Sequence, residues 1–317
     1  MLNNIFEQVK YGCQPIKKRL KKCGTVKKGI VEATPVVWKG RLLRFEWMRS
    51  AAWGIGNEMR KDGYYHFVDM ENEQEAGVPF AYAHSFGCAY EENGIMYVHG
   101  VNGSNGGTNI IDVCISRDLV NWDIKTAIVL PENLQIYNTS VCRGDGRYIM
   151  AIEVAGPKEM IGVPFTVIFA ESNDLLSWKL LPMDEHIYLK EKYTACPSIR
   201  FYDGYYYMVY LEALPFYRYT PYIVRSKDLK DFEAAIVNPF MMFDDEDKRI
   251  ARVNSLDAPT AQAMMRAVNC NDSDVDFCDF NGKTVILYSW GNQRGTEFLA
   301  RAEYDGTLQE LLESYFE

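Results

Sequence analysis

Five short turn signals divide the chain, and each lies between apolar runs of strand length. These signals are Lys39-Gly40, Asn93-Gly94, Asp145-Gly146, Asp203-Gly204 and Asn281-Gly282. Asn-Gly and Asp-Gly between apolar runs are the strongest short-range indications of a β-hairpin. The strands predicted after the turns cover residues 42–47, 95–99, 148–154, 205–212 and 284–290. The pattern therefore predicts five successive antiparallel hairpins.

The same periodicity predicts further strands on both sides of each hairpin. The strands before the turns are expected to begin near Thr34, Ser85, Thr139, Pro197 and Val275. A third strand is expected in each unit, at residues 64–69, 112–116, 166–172, 222–226 and 297–303. Helix is predicted only at residues 4–20 and, behind an N-capping Asp257, at residues 257–268.

One phrase, Ser-x-Asp-Leu-x-x-aromatic, occurs at residues 116–122, 172–178 and 226–232. Its aromatic residues, Trp122, Trp178 and Phe232, recur about every 55 residues, a period typical of repeat architectures. Ser and Asp side chains close turns by bonding to nearby backbone groups. We therefore expect a tight turn after a strand in each repeat, with the aromatic ring packed against the neighbouring sheet.

Five sequential sheets of three or four antiparallel strands predict an all-β fold, a five-bladed β-propeller. The predicted organisation is an N-terminal extension at residues 1–31, then one propeller domain at residues 32–317. One helical insertion precedes the last blade. The ring is expected to close through the segment before Glu32 or through the C-terminal strand.

Composition narrows the classes of partner. The 317 residues carry a formal net charge of −9, so nucleic acid is not an expected partner. The basic run at residues 17–22 is interpreted as a solvated surface segment. The eight Cys lack any Cys-x-x-Cys pair and are interpreted as free thiols. Neither a signal peptide nor a membrane span is apparent in the sequence. We therefore expect a cytoplasmic protein without a membrane partner.

The predicted blades and turns together resemble those of a known superfamily. Five blades, Asp-Leu-x-x-Trp turns and the unit formed by residues 193–199 and 203–210 resemble the five-bladed glycoside hydrolases of families 43, 32, 117 and 130. The resemblance covers roughly residues 32–316 and implies a family-43-like glycosidase of carbohydrate metabolism. In families 43 and 32 the inner strands of blades one, three and four begin with acids. The matching positions here are Glu32, Asn138 and Thr194, so only the first is acidic.

Propeller geometry selects candidate residues, because the start of each inner strand and the end of the next strand share one face of the ring. The polar residues at these ends are Glu32, Glu46, His84, His99, Asn138, Glu153, Thr194, Glu212, Asp272, Asp274 and Asp276. Alternation along a strand is expected to send the last three of these, all Asp, to one face.

Glycoside hydrolysis needs two carboxyl groups, one protonated and one ionised. Glu212 follows an apolar run that should raise its pKa, so we predict that it is the general acid. Asp274 lies among polar neighbours and is predicted to be the base. Glu32, Glu153 and His84 are expected to orient the substrate or to tune the pair. A His serves as an acid in the resembled family 117, and a hydrogen-bonding rim residue is the alternative role for His84.

A second group of residues is predicted to contact substrate. Its members are Glu46, His84, Trp47, Trp53, Asp276, Trp290 and Arg294. Trp47, Trp53 and Trp290 are expected to be solvent-accessible, because tryptophan faces stack on sugar C–H faces. No catalytic metal or cofactor is predicted, although a structural cation in the channel is compatible with the acidic residues.

The predicted function is a glycoside hydrolase that acts on a small oligosaccharide, with an acid/base pair of carboxyl groups at the channel mouth. A non-catalytic carbohydrate-binding propeller is the first alternative, because two inner-strand acids are missing. An interaction scaffold is the second. The sugar, the linkage, the stereochemical outcome and the oligomeric state are left open by the sequence.

Overall fold

The computed structural model describes residues 20–49, 63–216, 218–252, 256–292 and 295–317. Five four-stranded antiparallel sheets form the five blades of a propeller, as the sequence predicts. Blade one contains β2 (Ala33–Trp38), β3 (Arg41–Met48), β4 (Tyr64–Asp69) and β5 (Gln74–Glu75). Blade two contains β6 (His84–Glu92), β7 (Ile95–Asn102), β8 (Ile110–Ser116) and β9 (Asp123–Val129).

The next two blades follow the same order from the inner strand outward. Blade three contains β10 (Gln135–Gly144), β11 (Arg147–Ala155), β12 (Thr166–Ser172) and β13 (Lys179–Leu180). Blade four contains β14 (Thr194–Tyr202), β15 (Tyr205–Leu214), β16 (Arg218–Ser226) and β17 (Phe232–Ala234). The first and second strands of each blade are joined by the predicted two-residue turns. Both turn residues have positive φ, for example 54° at Asn93 and 77° at Gly94, which is the geometry that favours Asn-Gly.

Blade five is completed by the beginning of the described chain. Its sheet order is β18 (Asn271–Phe280), β19 (Lys283–Gly291), β20 (Glu297–Tyr304) and then β1 (Lys21–Lys28). The ring is thus closed by the segment before Glu32, one of the two predicted alternatives. The sequence places residues 21–28 in an N-terminal extension, whereas the structure places them in the last blade.

The helical elements are few in the part of the chain that the structure describes. They are the α-helices Lys158–Ile161, Ala258–Arg266 and Leu308–Glu313 and a 3₁₀ helix at Asp245–Lys248. The helix at Ala258–Arg266 is the predicted insertion, and the Asp257 carboxylate caps it by accepting from Thr260 N at 2.8 Å. The helix predicted at residues 4–20 lies outside the described residues, except for Leu20.

The Ser-x-Asp-Leu turns close as the sequence predicts. In the second repeat Ser172 Oγ accepts from the backbone N of Leu175 at 3.0 Å. Asp174 Oδ1 accepts from the backbone N of Leu176 and of Ser177, both at 2.9 Å. The first and third repeats have the same bonds.

Each repeat aromatic contacts the preceding blade. Trp122 stacks on Phe67 of blade one with centroids 6.0 Å apart. Trp178 meets His99 of blade two edge-on at 5.3 Å, and Phe232 packs on Phe169 of blade three at 5.9 Å. The prediction that these rings pack against the neighbouring sheet is confirmed. One local motif therefore both ends a blade and attaches it to the blade before.

We predict that Trp178→Ala lowers the free energy of unfolding by roughly 3–5 kcal/mol, because it removes a large buried ring between two blades. The matched control is Asn173→Ala, an exposed position in the same turn, which should change stability by no more than about 0.5 kcal/mol. Chemical denaturation measures both values. Equal effects of the two substitutions would contradict the role given to the ring.

A buried ammonium attaches the closing strand to the inner strand of blade five. Lys22 Nζ lies 2.7 Å from Asp247 Oδ1 and 3.0 Å from Asp272 Oδ2. It also donates to the carbonyl oxygen of Met242 at 2.6 Å. Tyr288 donates its hydroxyl to Asp247 at 2.7 Å. Lys22 thus connects three segments that are far apart in the chain.

We predict that Lys22→Met lowers the free energy of unfolding by about 3–5 kcal/mol, because it leaves buried carboxylates without their cation. Lys21→Met is the control, since Lys21 is the exposed neighbour on the same strand; its effect should stay within about 0.5 kcal/mol. Thermal and urea unfolding of the two variants give the comparison. Similar losses in both would show that the ion cluster does not hold the ring closed.

Candidate functional site

The innermost strands of four blades are interrupted at corresponding places. The ladder register breaks between Ser85 and Cys88, Ile136 and Thr139, Ala195 and Ser198, and Ser273 and Asp276. Positive φ values of 49°, 47° and 51° occur within these breaks at Phe86, Cys196 and Asp274. β-Bulges of this kind re-aim side chains and occur next to active sites. The bulges set which side chains reach the channel.

A cavity with an empty volume of about 330 Å³, part of it open to solvent, lies where the bulges meet. Every blade contributes to its wall, so it lies at the centre of the ring. The wall residues that carry a carboxyl, amide or thiol group are Glu32, Asn138, Cys196, Asp274 and Asp276.

Glu153, on β11, is not itself in the described lining, but it is hydrogen-bonded to two wall residues and is only 3% exposed. Its Oε2 accepts from Asn138 Nδ2 at 2.9 Å and from the backbone N of Cys196 at 2.7 Å. Burial raises the pKa of Glu153 to about 7 against the pull of these two hydrogen bonds, and the charges of Asp274 and Glu32 add to the rise. Near neutral pH this carboxyl therefore holds a proton part of the time.

Glu32 precedes β2 and forms a fork-like ion pair. Arg49 Nη2 lies 3.0 Å from both carboxylate oxygens of Glu32, and Arg49 Nη1 reaches Glu297 at 3.3 Å. Burial raises the pKa of Glu32 to about 7, Arg49 opposes the rise, and Asp274 adds to it. Since Arg49 takes both oxygens, Glu32 is better placed to hold the wall than to transfer a proton.

Asp274 occupies the bulge of blade five and is half-buried. The Cys196 thiol is hydrogen-bonded to it. Burial, with the charges of Asp274 and Glu153, raises the pKa of this thiol well above its usual value, so the thiol is protonated and donates the bond. Glu153 and Asp274 thus form a pair of carboxyl groups near the cavity, and burial raises the pKa of Glu153 towards neutral.

The expectation that Asp272, Asp274 and Asp276 share one face is wrong, because the bulge at residues 274–275 breaks the alternation. Asp272 is buried against Lys22 at 3.0 Å. Asp276 lines the cavity and pairs with Arg200 at 2.7 Å. Only the side chain of Asp274 lacks a described cation partner. The three residues therefore have three different environments.

Glu212, the predicted general acid, lies at the end of β15 among different neighbours from those expected. It forms an ion pair with Lys192 and accepts from the Tyr210 hydroxyl at 2.7 Å. It is absent from the described lining of the cavity. The prediction depended on apolar surroundings, and the structure instead places an ammonium and a phenol against the carboxylate. Its role is tested below by substitution.

Glu46 and His84 make internal contacts. Glu46 is fully buried, and it binds Arg44 at 2.5 Å, His66 at 2.9 Å and Lys27 at 3.2 Å. Burial raises the pKa of Glu46, but these partners outweigh it and hold the pKa far below its usual range. His84 Nε2 lies 3.0 Å from Asp112 Oδ2. The structure thus places both residues in hydrogen-bonded networks outside the described cavity wall, and the network of Glu46 reaches Lys27 of the closing strand.

The expectation that Trp47 and Trp290 are solvent-accessible is wrong, since they are 1% and 0% exposed. Trp47 packs on Phe86 with centroids 4.4 Å apart. Trp290 donates Nε1 to Thr25 at 2.9 Å and stacks on a neighbouring phenylalanine. Both rings are packed inside the protein beside their own strands, whereas the sequence predicts that they face solvent. Trp53 and Arg294 lie outside the described residues.

An arc of smaller rings runs beside the cavity wall instead. Neighbouring centroids are 5.4 Å apart for Phe86 and Tyr137, 5.1 Å for Tyr137 and Phe165, and 5.3 Å for Phe165 and Tyr193. Tyr219 continues the arc at 5.7 Å from Tyr193. None of these rings is among the tryptophans that the sequence predicts to stack on sugars. Phe86 and Tyr137 lie in bulges, which leave no recognisable signal in the sequence.

The sequence predicts no role in the site for Cys196 or Asn138. Asn138 is among the strand-end candidates, but the sequence marks it as a position where an acid is missing. Cys196 was assigned to a buried strand, and the following Pro197 favours extended backbone before it. The φ of 47° at Cys196 departs from that preference. The bulge therefore overrides the local preference and brings the thiol into the cavity wall.

Solved structures with similar folds are glycoside hydrolases. One is a thermostable family-43 glycoside hydrolase, with TM-score 0.60 and 12% identity over 88% of this chain and 90% of that chain. A second is a family-43 β-xylosidase/α-arabinofuranosidase from a compost microbial metagenome, in complex with xylotriose, with TM-score 0.52 and 13% identity over 90% and 93%. A third is a glycosyl hydrolase from Bacteroides ovatus, with TM-score 0.53 and 11% identity over 91% and 92%.

At these identities the likeness establishes the fold. The chain has the five-bladed propeller of family-43 and related glycoside hydrolases, as the sequence resemblance implies. No protein-family profile matches the sequence. No curated protein matches it either.

The described residues contain no group of three or more His, Cys, Asp and Glu side chains arranged to hold a metal ion. Within the same ranges, no helix is long and apolar enough to span a membrane.

We predict that Glu153→Gln removes the contribution of Glu153 to the pH dependence of the free energy of unfolding. From about pH 4.5 to about pH 7 the folded chain keeps a proton on Glu153 that the unfolded chain has lost, so wild-type stability should fall as pH rises. The fall in the variant should be smaller by about 3 kcal/mol between the two ends of the window, since Glu32 and Asp272 keep their raised pKa values in both proteins. Urea unfolding at both pH values measures it.

The control for this prediction is Glu171→Gln, on the same sheet but paired with Arg147 at the outer part of the blade. It should follow the wild-type pH dependence in that window. If Glu153→Gln and wild type give parallel curves, Glu153 does not hold its proton to near-neutral pH.

Proposed function

We propose that the protein is a glycoside hydrolase acting on a small oligosaccharide, with Glu153 as general acid and Asp274 as its carboxylate partner. The observation that carries the proposal is the pairing of these two carboxyl groups beside one central cavity. Burial raises the pKa of Glu153 to about 7, while Asp274 is half-buried and in contact with a thiol donor. Two carboxyl groups in different environments are the requirement of glycosidase chemistry.

The proposed reaction uses each group for one task. Glu153 donates its proton to the glycosidic oxygen as the bond to the anomeric carbon breaks, so that the leaving group departs neutral. Asp274 either removes a proton from the attacking water or attacks the anomeric carbon itself. Arg49 neutralises part of the negative charge of Glu32 and Glu297 beside the site. The aromatic arc offers apolar faces to sugar rings.

The fold comparisons support this proposal by analogy, since fold alone does not fix function. One similar structure holds xylotriose, which is a small neutral oligosaccharide and is the class of substrate that we propose. The proposed acid differs from the family pattern in its position, because Glu153 comes from the second strand of blade three. Asn138 stands at the inner-strand position where the resembled families have an acid.

That Asn138 also favours a second candidate, a propeller that binds sugars without cleaving them. An amide can donate to and accept from sugar hydroxyls but cannot transfer a proton at neutral pH. In this alternative the same cavity and aromatic arc bind the ligand, and Glu153 serves only as a hydrogen-bonding group. Turnover separates the two candidates.

We also propose a cytoplasmic location. All seven cysteines in the described ranges are free thiols, which is typical of proteins in reducing compartments. The purified protein should therefore keep its full stability in the presence of a reducing agent.

The test is hydrolysis of aryl arabinosides, xylosides, galactosides and fructosides by the full chain. Glu153→Gln and Asp274→Asn should each lower kcat by about 10²-fold or more on any glycoside that the wild type cleaves. Glu171→Gln should leave kcat unchanged. Circular dichroism confirms that each variant is folded.

Glu212→Gln distinguishes the assignment from the sequence prediction. On the present assignment it retains most of the activity. A loss of about 10²-fold in Glu212→Gln, with Glu153→Gln active, would restore Glu212 as the general acid. Binding of sugars by calorimetry without turnover on any of the glycosides would favour the non-catalytic alternative.

A further inference from the structure

One oxygen of Glu153 is held by donors from two neighbouring blades. Asn138 Nδ2, in the bulge of blade three, lies 2.9 Å from Oε2. The backbone N of Cys196, in the bulge of blade four, lies 2.7 Å from the same atom. Both distances lie in the normal range for N–H···O bonds, and the shorter one is typical of bonds to a charged acceptor.

The orientation of the Asn138 amide is fixed by its surroundings. Its nitrogen faces two acceptors, Glu153 Oε2 and, at 3.6 Å, Cys196 Sγ. Because only the nitrogen of an amide donates, this pair of contacts decides which way the amide points. The backbone donor is equally constrained, since Cys196 is held at a φ of 47° within its bulge.

We infer that Asn138 is a positioning residue: together with the Cys196 N–H it reserves Oε2 of Glu153 as an acceptor, so that the proton of this carboxyl is carried on Oε1. A proton on Oε2 would face the N–H groups of Asn138 and Cys196, so that donor–donor repulsion would replace a hydrogen bond. The inference rests on the proposed function for its catalytic meaning, since it fixes which oxygen of the proposed acid delivers the proton.

The hydrogen bonds to Glu153 oppose the effect of the charged groups around it on its pKa. Asp274 from blade five and Glu32 from before blade one favour its neutral form by their negative charge. Tyr137, Tyr193 and Cys196 also interact with it, and burial raises the pKa of all three, so they stay neutral. Donation from Asn138 and from the Cys196 N–H opposes burial and keeps the carboxyl able to release its proton near neutral pH.

The experiment compares Asn138→Leu with Asn102→Leu. Asn102 makes the same kind of bond, from its Nδ2 to Asp112 Oδ2 at 2.8 Å, but in blade two. The readout is the infrared band of the protonated Glu153 carboxyl, assigned by its absence in Glu153→Gln. Asn138→Leu should move the titration midpoint of this band upward by about one pH unit, since it removes a hydrogen bond to the ionised form. Asn102→Leu should leave the midpoint unchanged.

A second variant, Asn138→Asp, keeps the size of the side chain but replaces the donor with a carboxylate. The midpoint should rise further than in Asn138→Leu, because a like charge now faces Oε2. In a variant that turns over substrate, the alkaline limb of kcat/KM should move with the band. A uniform loss of rate with unmoved limbs would indicate a merely structural role.

The titration needs no turnover, so it remains decisive if the wild type hydrolyses no glycoside and the proposed function fails. An unmoved or lowered midpoint in both Asn138 variants overturns the positioning role, whatever the activity. Should Asn138→Leu fail to fold, Asn138→Asp supplies the same measurement, and an unmoved midpoint there overturns the inference by itself.

Discussion

The structure depends on closing a ring whose two ends are far apart in the chain. Lys22 makes that closure specific, because its ammonium lies within 3.0 Å of carboxylates on both the last inner strand and the segment before it. Burial raises the pKa of Asp272 to about 8 against the pull of Lys22, with the charges of Asp247 and Asp244 adding to the rise. One ammonium among several carboxyl groups thus leaves a proton on the cluster. An unpaired charge here would be costly, so the strand can close the ring in only one register.

Two residues of β18 connect the ring closure to the candidate site. Asp272 is fixed by Lys22, and Asp274 follows it in the bulge of the same strand. Holding the first residue of the pair fixes where the bulge begins, and hence where the second carboxylate points. Three of the four other inner strands have bulges at corresponding places. A site built from several blades therefore relies on the ring being closed.

The site places Glu153 in an environment that opposes its ionisation. Burial and two neighbouring carboxyl groups raise its pKa, while two hydrogen bonds lower it, and the balance lies at about 7. A shift of this size makes the folded state less stable at neutral pH than it would be with an amide at the same position. Such an arrangement is typical of functional sites, where a group is adjusted for proton transfer at the expense of stability.

The sequence determined the parts of the structure that local chemistry controls. Asn-Gly and Asp-Gly need positive φ at both turn residues, so the five hairpins could be identified without tertiary information. The Ser-x-Asp-Leu turns bond to their own backbone, and their period revealed the blades. The candidate acids Glu153, Glu32 and Asp274 could also be identified, because they lie at strand ends that a propeller brings to one face.

The tertiary structure decided which of these residues meet. Alternation assumes an unbroken ladder, and bulges with no sequence signal separated Asp272 from Asp274 and brought Cys196 and Asn138 to the cavity. Trp47 and Trp290 gave no indication of their burial, because a ring at a strand end packs equally well against a neighbouring blade or a ligand. The sequence also could not show which group pairs with Glu212. Lys192 lies before the adjacent strand, and only the pairing of the two strands brings its ammonium to the Glu212 carboxylate.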